Sequence, residues 1–369
     1  MTSLISAKYK ILIAASGSGG HILPALFIAS ALKELTNNNI EIEFFGTGKS
    51  LEVKLIEGAG YKLHKVPVSG ISGRGLLGFV QFIINFPKVI FETFKVLKTF
   101  QPNLVLGVGG YSSFYPVTAA RLKSLPTWIH EAESKPGLAN KVLSKYATKI
   151  STAFDVKAFP SKKMLITGHP VRPEILEVKA KDSTTIPHNL FLMGGSQGAK
   201  ALDIAMAQIA PFLKERNLSI LHQARAENID IVSKSYEASG LNAEVISFID
   251  DMVLAYNWSD IIISRSGAGS VAEVSAINRP VIFVPLPSSQ ADHQKFNAKV
   301  LEKQGKAIVV EEGSEFESRL KIALSKILDQ KNYSEMLQKK QRDIPLNAAH
   351  SIANGCLTLM KESIKQVLK

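Results

Sequence analysis

The chain has 369 residues, 46% hydrophobic and 21% charged, a composition that excludes disorder as the default interpretation. One core rarely grows beyond about 250–300 residues, so two domains are expected, while the single cysteine excludes an internal disulfide and fits a reducing compartment. Of the net charge of +12, +11 arises in residues 1–168, which hold 20 Lys or Arg and 9 Asp or Glu. This asymmetry indicates an anionic partner (nucleic acid, phosphate ligand or lipid surface) rather than solubility alone.

Short apolar runs alternate with helical patterns along the first half of the chain, which is typical of a parallel sheet covered by helices on both faces. The predicted strands of this half are Lys10–Ala15, Ile40–Phe45, Leu63–Val66, Leu104–Val108, Thr127–Ile129 and Lys149–Thr152. The predicted helices between them are Pro24–Leu35, Lys49–Glu57, Gly75–Thr99, Tyr115–Leu122 and Gly137–Tyr146.

The same alternation begins again near residue 189, with predicted strands at Asn189–Met193, Ser219–Gln223, Glu244–Ser247, Ile261–Ser264, Val281–Val284 and Ala307–Val310. Between the two series, the two prolines and the glycine of Thr167–Pro173 predict an interdomain hinge. We therefore predict two Rossmann-like, doubly wound α/β domains, 1–168 and 169–346, with a C-terminal helix, 347–369, packed back on the first. Ligands bind at the carboxyl ends of such strands, so the domains are expected to face a cleft.

The segment Leu76–Leu97 is very apolar and rich in Phe, but Pro87 and three charged residues interrupt it. Spanning a bilayer takes about 20 consecutive apolar residues, so a transmembrane helix is rejected. Two interpretations stay open: a buried helix pair, or a helix whose outer face lies in the lipid interface with a basic rim.

Three glycine-rich turns each follow a predicted strand and precede a predicted helix: Ser16–His21, Gly107–Ser112 and Gly194–Gly198. Such a unit exposes bare backbone N–H groups beside a helix amino end, and both attract phosphate. A single turn of this kind also occurs for packing alone, but three in matching contexts predict contact with a phosphate or diphosphate.

Other nucleotide-binding and metal-binding classes fit the sequence poorly. A nicotinamide-binding fingerprint would need a third glycine where Ile22 stands and an acidic residue where the second strand runs into Gly46-Thr47-Gly48. No G-x-x-x-x-G-K-S/T motif and no Cys/His metal spacing occur in the sequence. We therefore predict neither a metal site nor a cofactor.

A longer series of motifs occurs in order along the chain: Ser16–Pro24, Gly107–Ser112, His130-Glu131, Gly137–Asn140, Gly168–Arg172, Gly194–Ala199, Phe248–Met252, Ser264–Ala268 with Glu273, and Ala291–Gln294 with Asn297. Together they cover about residues 8–350. In this series the chain resembles the MurG family of peptidoglycan N-acetylglucosaminyltransferases, which have the GT-B architecture of two Rossmann-like domains.

The resemblance implies an inverting, metal-independent hexosyltransferase. It would move N-acetylglucosamine from UDP-N-acetylglucosamine to the 4-hydroxyl of undecaprenyl-diphosphate-linked N-acetylmuramoyl-pentapeptide, the step from lipid I to lipid II in peptidoglycan synthesis. The enzyme would be peripheral, on the cytoplasmic face of the plasma membrane. Anionic membrane lipids and cell-wall synthesis proteins are the further implied partners, and nucleic acid is not. The implied membrane patch is Leu76, Leu77, Phe79, Val80, Phe82, Ile83 and Phe86.

The resemblance also implies which residues bind the donor. Arg172 and Ser196 would contact the UDP phosphates, Ile249 would pack on the uracil, and Glu273 would accept hydrogen bonds from the ribose. The simpler alternatives are an interdomain salt bridge for Arg172 and a helix-dipole role for Glu273. The other implied donor residues are Ser18, Gly19, Gly20, Glu133, Ala268, Gly269, Ser270, Val271, Ala272, His293, Gln294 and Asn297.

On the acceptor side, the resemblance implies a general base that takes the proton from the muramoyl 4-hydroxyl. His21, at the start of a helix, is one candidate and Glu131 is the other, and His21 has the alternative role of only orienting substrate. The residues implied to hold the acceptor diphosphate are Gly17, Gly19, Gly20, Gly109, Gly110, Tyr111, Ser112 and Asn140.

One loop departs from the family pattern. After His130-Glu131 the family usually has Gln-Asn, whereas this chain has Ala132-Glu133, and an ionised Glu133 only accepts hydrogen bonds. This departure would favour a glycolipid-forming transferase with a diacylglycerol acceptor. Two further alternatives stay open: a UDP-N-acetylglucosamine epimerase, which needs no membrane patch, and a non-catalytic module that binds lipid or nucleotide, which would not need His21 or Glu131.

Overall fold

The computed structural model describes residues 9–68, 75–184, 186–195, 199–287, 292–339 and 347–367, with the side chains of 75–83 and 366–367 left out. The chain divides after Val171 into two compact units. The residues up to this point and the last helix form the first unit, and the residues between them form the second. The prediction of two parallel-sheet α/β domains is confirmed.

The first unit contains a seven-stranded parallel sheet in the order β3-β2-β1-β4-β5-β6-β7. Its strands are β1 Tyr9–Ala14, β2 Ile40–Gly46, β3 Lys62–Lys65, β4 Leu104–Gly107, β5 Thr127–Glu131, β6 Lys149–Thr152 and β7 Met164–Ile166. The sequence did not predict β7, which has only three residues at the sheet edge. Leu165 and Ile166 remain exposed there, so the strand lacks the buried apolar run that marks the others.

The helices of the first unit are α1 Gly19–Leu35, α2 Ser50–Glu52 (continued by a π-helical turn, Val53–Glu57), α3 Gly75–Phe100, α4 Phe114–Leu122 and α5 Leu138–Leu143. Helix α1 begins five residues before its predicted start at Pro24, because a proline in the sixth position removes only one backbone hydrogen bond. The earlier start places Gly19, Gly20 and His21 in the first helical turn.

The second unit has a six-stranded parallel sheet in the order β10-β9-β8-β11-β12-β13. Its strands are β8 Asn189–Met193, β9 Ser219–Gln223, β10 Asn242–Ile246, β11 Ile261–Ser264, β12 Val281–Phe283 and β13 Ala307–Val309. Its helices are α6 Lys200–Gln208, α7 Ala210–Glu215, α8 Ile229–Ala238, α9 Met252–Trp258, α10 Ala268–Ile277, α11 His293–Lys303, α12 Phe316–Leu328 and α13 Gln330–Gln338.

The last helix, α14 Ala348–Val367, packs against α1 in the first unit. Alternate residues of β1 reach the two cores of this unit. Ile11 and Ile13 lie in the core that includes α1 and α14, while Leu12 and Ala14 lie in the core that includes α3, α4 and α5. The sheet of the first unit is therefore buried on both faces, which explains the continuous apolar runs of its central strands.

The strand order locates the ligand-binding edge of each sheet. In the first unit the order reverses between β1 and β4, and the first two glycine turns follow these two strands. In the second unit it reverses between β8 and β11, which are followed by Gly194 and Gly267. Ligands of open α/β sheets bind at this reversal, outside the carboxyl ends of the strands.

Helix α3 carries the predicted membrane patch. Among the described residues, no helix is both long and apolar enough to span a bilayer. Phe86 is half-buried, with its ring centroid 5.7 Å from that of Tyr115. The rest of the patch lies outside the described side chains: Leu76, Leu77, Phe79, Val80, Phe82 and Ile83.

The contact between α14 and the sheet gives a stability prediction. A Cβ added to Gly355 would overlap the ring of Trp128, which is buried and held by a hydrogen bond from its Nε1 to Ser151 Oγ (2.9 Å). Replacing glycine by alanine within a helix stabilises the folded state by up to about 1 kcal/mol, but overpacking a core destabilises it by about 1–3 kcal/mol. We expect Gly355→Ala to lower the free energy of unfolding, measured by urea denaturation. The exposed change Asn354→Ala is the control, and a stabilised Gly355→Ala would contradict the packing argument.

Candidate active site

Two glycine turns meet at the carboxyl ends of β1 and β4. Gly17, Gly109 and Gly110 all have positive φ (92°, 92° and 76°), a conformation that side chains disfavour. Ser16 Oγ donates a hydrogen bond to Ser112 Oγ at 2.5 Å, which joins the two turns directly. The buried Ser112 hydroxyl therefore ties the turns together.

His21 lies in the first turn of α1, against the bare backbone of Gly109. A Cβ on Gly109 would lie 2.7 Å from His21 Cδ2, so only glycine leaves room for the imidazole. Burial lowers the pKa of His21, and the Glu133 carboxylate and the Ser16 backbone carbonyl partly oppose this effect. His21 is therefore neutral at pH 7 and able to accept a proton.

Glu52 holds the first glycine turn in place, a role that the sequence analysis missed. Its buried carboxylate accepts hydrogen bonds from the backbone N–H groups of Gly17 (3.1 Å), Thr47 (2.6 Å) and Gly48 (2.9 Å) and from the Thr47 hydroxyl (2.7 Å). The Gly17 N–H is thus already engaged. The first turn of α1, at Gly19 and Gly20, is the better anion-binding element.

The loop after β5 is organised around Glu131. This carboxylate is 4% exposed and accepts hydrogen bonds from the backbone N–H groups of Glu133 (3.0 Å) and Gly137 (3.1 Å) and from Asn140 Nδ2 (3.0 Å). Burial raises the pKa of Glu131 to about 7, although these hydrogen bonds act to lower it. Glu131 and the buried Asn140 therefore shape the loop that carries Glu133.

A buried chain of polar side chains runs behind His21. Ser151 Oγ lies 2.9 Å from Trp128 Nε1 and 3.0 Å from His130 Nδ1, and His130 Nε2 lies 3.1 Å from His169 Nδ1. Burial lowers the pKa of His130 well below its usual value and that of His169 to about 3, and nearby histidines, His21 among them, lower both further. All three imidazoles are consequently neutral at pH 7.

The second unit places Arg172 and Glu273 together. Arg172 Nε lies 3.4 Å from Glu273 Oε1, and the Tyr256 hydroxyl donates to Glu273 Oε2 at 2.8 Å. Glu273 lies on α10, whose first turn follows Gly267 at the end of β11. The implied phosphate-binding and ribose-binding residues are therefore neighbours, while Ser196 lies outside the described residues.

Other implied donor residues of the second unit differ in their exposure and hydrogen-bond partners. Asn297 is fully buried and donates to the Ser266 carbonyl at 3.3 Å, so its amide supports the turn after β11. Gln294 Oε1 accepts from the Leu286 N–H at 3.0 Å. The Val271 side chain is also buried, at 1% exposure, which leaves only its backbone for a ligand. His293 is the first residue of α11.

The neutral His130–His169 pair gives a pH prediction. In the unfolded chain a histidine binds a proton below about pH 6.5, whereas buried His169 stays neutral to about pH 3, so its contribution to stability is lost as pH falls between these values. We expect His169→Asn to reduce the loss of unfolding free energy between pH 7 and pH 5 by about 1–2 kcal/mol. Denaturation curves at several pH values measure this. His350→Asn, on half-buried His350 of α14, is the control, and parallel pH curves for wild type and His169→Asn would refute the assignment.

Comparisons with known proteins show which family the chain resembles. Two family models match, the glycosyltransferase family 28 N-terminal domain over residues 11–152 and the C-terminal domain over residues 189–354. A Geobacter sulfurreducens protein named UDP-N-acetylglucosamine–N-acetylmuramyl-(pentapeptide) pyrophosphoryl-undecaprenol N-acetylglucosamine transferase is 38% identical over 82% of this chain and 85% of its own length. The Geobacter metallireducens protein of the same name is 33% identical over 97% of this chain and 96% of its own.

Among solved structures, Acinetobacter baumannii MurG is similar with a TM-score of 0.78 and 27% identity, covering 95% of this chain and 99% of that one. UDP-GlcNAc 2-epimerase from Neisseria meningitidis has a TM-score of 0.66 at 15% identity, covering 95% of this chain and 100% of that one, a likeness of fold alone. The two domain matches, the near full-length relatives and the order of the motifs all lead to one conclusion: the chain belongs to the MurG family of glycosyltransferases.

Proposed function

We propose that this chain transfers N-acetylglucosamine from UDP-N-acetylglucosamine to the 4-hydroxyl of undecaprenyl-diphosphate-linked N-acetylmuramoyl-pentapeptide, with inversion at the anomeric carbon. The observation that carries the proposal is the neutral His21, held between two glycine turns, in a chain 33% identical over 97% of its length to a transferase named for this reaction. A neutral imidazole beside helix-start N–H groups supplies a base next to an anion site.

His21 would act as the general base of the transfer. As the acceptor 4-hydroxyl attacks the anomeric carbon, its proton passes to the imidazole, the new C–O bond forms, and the bond between the sugar and UDP breaks on the opposite face. Desolvation keeps the imidazole unprotonated before the reaction, and the nearby Glu133 carboxylate favours the imidazolium once it forms. The acceptor diphosphate would bind at the start of α1 and the turn after β4.

The second unit would bind the donor and stabilise the departing UDP. Arg172 remains positively charged and binds phosphate through a planar fork of N–H groups. Its Nε faces Glu273, so its two terminal nitrogens are the atoms left for the phosphates. The first turn of α10, at Ala268, Gly269 and Ser270, would add backbone N–H groups to the same charge.

We further propose that the enzyme associates with the cytoplasmic face of the plasma membrane. In the described part of α3, Ile84 and Phe91 are 70% and 59% exposed, beside Lys88 and Lys95. Lys95 Nζ lies 4.7 Å from the centre of the Phe91 ring. Apolar side chains within a basic rim suit the interface of an anionic bilayer, where the lipid-linked acceptor is held.

The substrate pair is tested by incubation with radiolabelled UDP-N-acetylglucosamine and either the muramoyl-pentapeptide lipid, diacylglycerol or no acceptor. We expect label only in the muramoyl disaccharide lipid. Label in a diacylglycerol product alone would favour the glycolipid transferase left open by Glu133, and conversion of the nucleotide sugar without an acceptor would favour the epimerase. Binding of UDP-N-acetylglucosamine without any reaction would favour a non-catalytic module.

The role of His21 is tested by substitution. We expect His21→Ala to lower kcat by about 10²–10⁴-fold, the usual effect of removing a general base, with little change in KM for UDP-N-acetylglucosamine. His64→Ala, on β3 of the same unit, is the matched histidine control. Near-normal turnover in His21→Ala would exclude this residue as the base, and a comparable kcat loss confined to Glu131→Gln would move the role there.

A further inference from the structure

Tyr256 is a buried side chain next to the donor site that the proposed reaction does not use. It lies on α9, is 0% exposed, and donates its hydroxyl hydrogen bond to Glu273 Oε2 at 2.8 Å. The Met193 sulfur, at the end of β8, lies 3.6 Å from the same hydroxyl. Buried polar groups need hydrogen-bond partners, and the Glu273 carboxylate is the partner of this buried phenol hydroxyl.

The phenol ring has little freedom to move. It packs edge-to-face on Phe191 of β8, with ring centroids 5.8 Å apart. The start of α9 is fixed by Asp251, whose carboxylate accepts from the N–H groups of Val253 (2.9 Å) and Leu254 (3.0 Å). The end of the helix is fixed by Arg279, which donates from Nε to the Ser259 carbonyl at 3.1 Å. The hydroxyl is therefore held at a defined position against α10.

The Glu273 carboxylate is divided between two neighbours. Oε2 accepts from Tyr256, and Oε1 faces Arg172 Nε at 3.4 Å. Burial raises the pKa of Glu273, while Arg172 and the Tyr256 hydrogen bond both act to lower it. Each carboxylate oxygen has two lone pairs, so each keeps one for a ligand hydroxyl. Rotation of the carboxylate would break the contact with Tyr256.

We propose that Tyr256 is a positioning residue for the ribose of the donor: it fixes the plane of the Glu273 carboxylate so that this group accepts hydrogen bonds from the ribose hydroxyls. The inference rests on the proposed function, which supplies the uridine nucleotide. Loss of the Tyr256 hydroxyl leaves a buried carboxylate oxygen without its donor, so the carboxylate turns toward Arg172 or takes up a proton. In either case ribose recognition weakens while the phosphate contacts persist.

The test compares UDP with 2′-deoxy-UDP and 3′-deoxy-UDP by isothermal titration calorimetry on the wild type and Tyr256→Phe. We expect Tyr256→Phe to weaken UDP binding about tenfold, and to weaken binding of each deoxy analogue by a smaller factor, because each analogue lacks one of the hydroxyls that Glu273 accepts from. In turnover assays, KM for UDP-N-acetylglucosamine should rise about tenfold at nearly constant kcat. Tyr333→Phe is the matched control, since Tyr333 is equally buried in the same unit and its hydroxyl has no hydrogen-bond partner among the described residues.

Several results would overturn the assignment. Equal weakening of UDP and both deoxy analogues would show a general structural role for Tyr256, as would an equal loss in Tyr333→Phe. Unchanged UDP binding in Tyr256→Phe would show that the hydroxyl does not matter. Failure of the wild type to bind UDP would overturn the proposed function, and the ribose role with it. That outcome is distinguishable because it appears before any substitution.

Discussion

Buried carboxylates that accept backbone N–H groups hold the loops at the ligand-binding edges of both sheets. Where a strand ends, the backbone loses its neighbours in the ladder and needs new partners. Glu52 supplies them for the turn after β1, and Glu131 does so for the loop after β5. In the second unit, buried Asp203 accepts from the Arg225 N–H (3.1 Å) and from Asn228 Nδ2 (2.8 Å) after β9. The positions of the reactive side chains depend on these anchored loops.

These carboxylates also decide which N–H groups remain for a phosphate. Glu52 binds the Gly17 N–H, so anion binding at this turn falls to the helix start beyond it. Glu52 is a buried carboxylate close to the helix start that we propose for the acceptor diphosphate. The arrangement works because every carboxylate oxygen of Glu52 and Glu131 is already hydrogen-bonded to the chain, which spreads its charge into the loop.

The sequence was sufficient to predict the sheets, because buried parallel strands leave continuous apolar runs between glycine turns. Thus β1 and β8 were predicted within one residue of their bounds, whereas β7, exposed at an edge, left no such run. The glycine turns and His21 could likewise be located, since backbone conformation restricts the residue type there. Glu52 and Tyr256 could not be, because a side chain that contacts a loop distant in sequence leaves no local pattern. A carboxylate just after Gly46-Thr47-Gly48 was the only available hint for Glu52.

Burial and the Glu133 carboxylate act in opposite directions on the pKa of His21. Burial disfavours a charged imidazole at His21 and lowers its pKa, and a charge on His21 would in turn lower the pKa of buried His130 and His169. A base kept neutral by burial alone would also be weak, because the same desolvation opposes the protonated product. Glu133 corrects this, since its carboxylate raises the pKa of His21 and favours the imidazolium. The acidic residue that sets this loop apart from the usual family pattern therefore lies where its charge would assist His21 in the proposed role of general base.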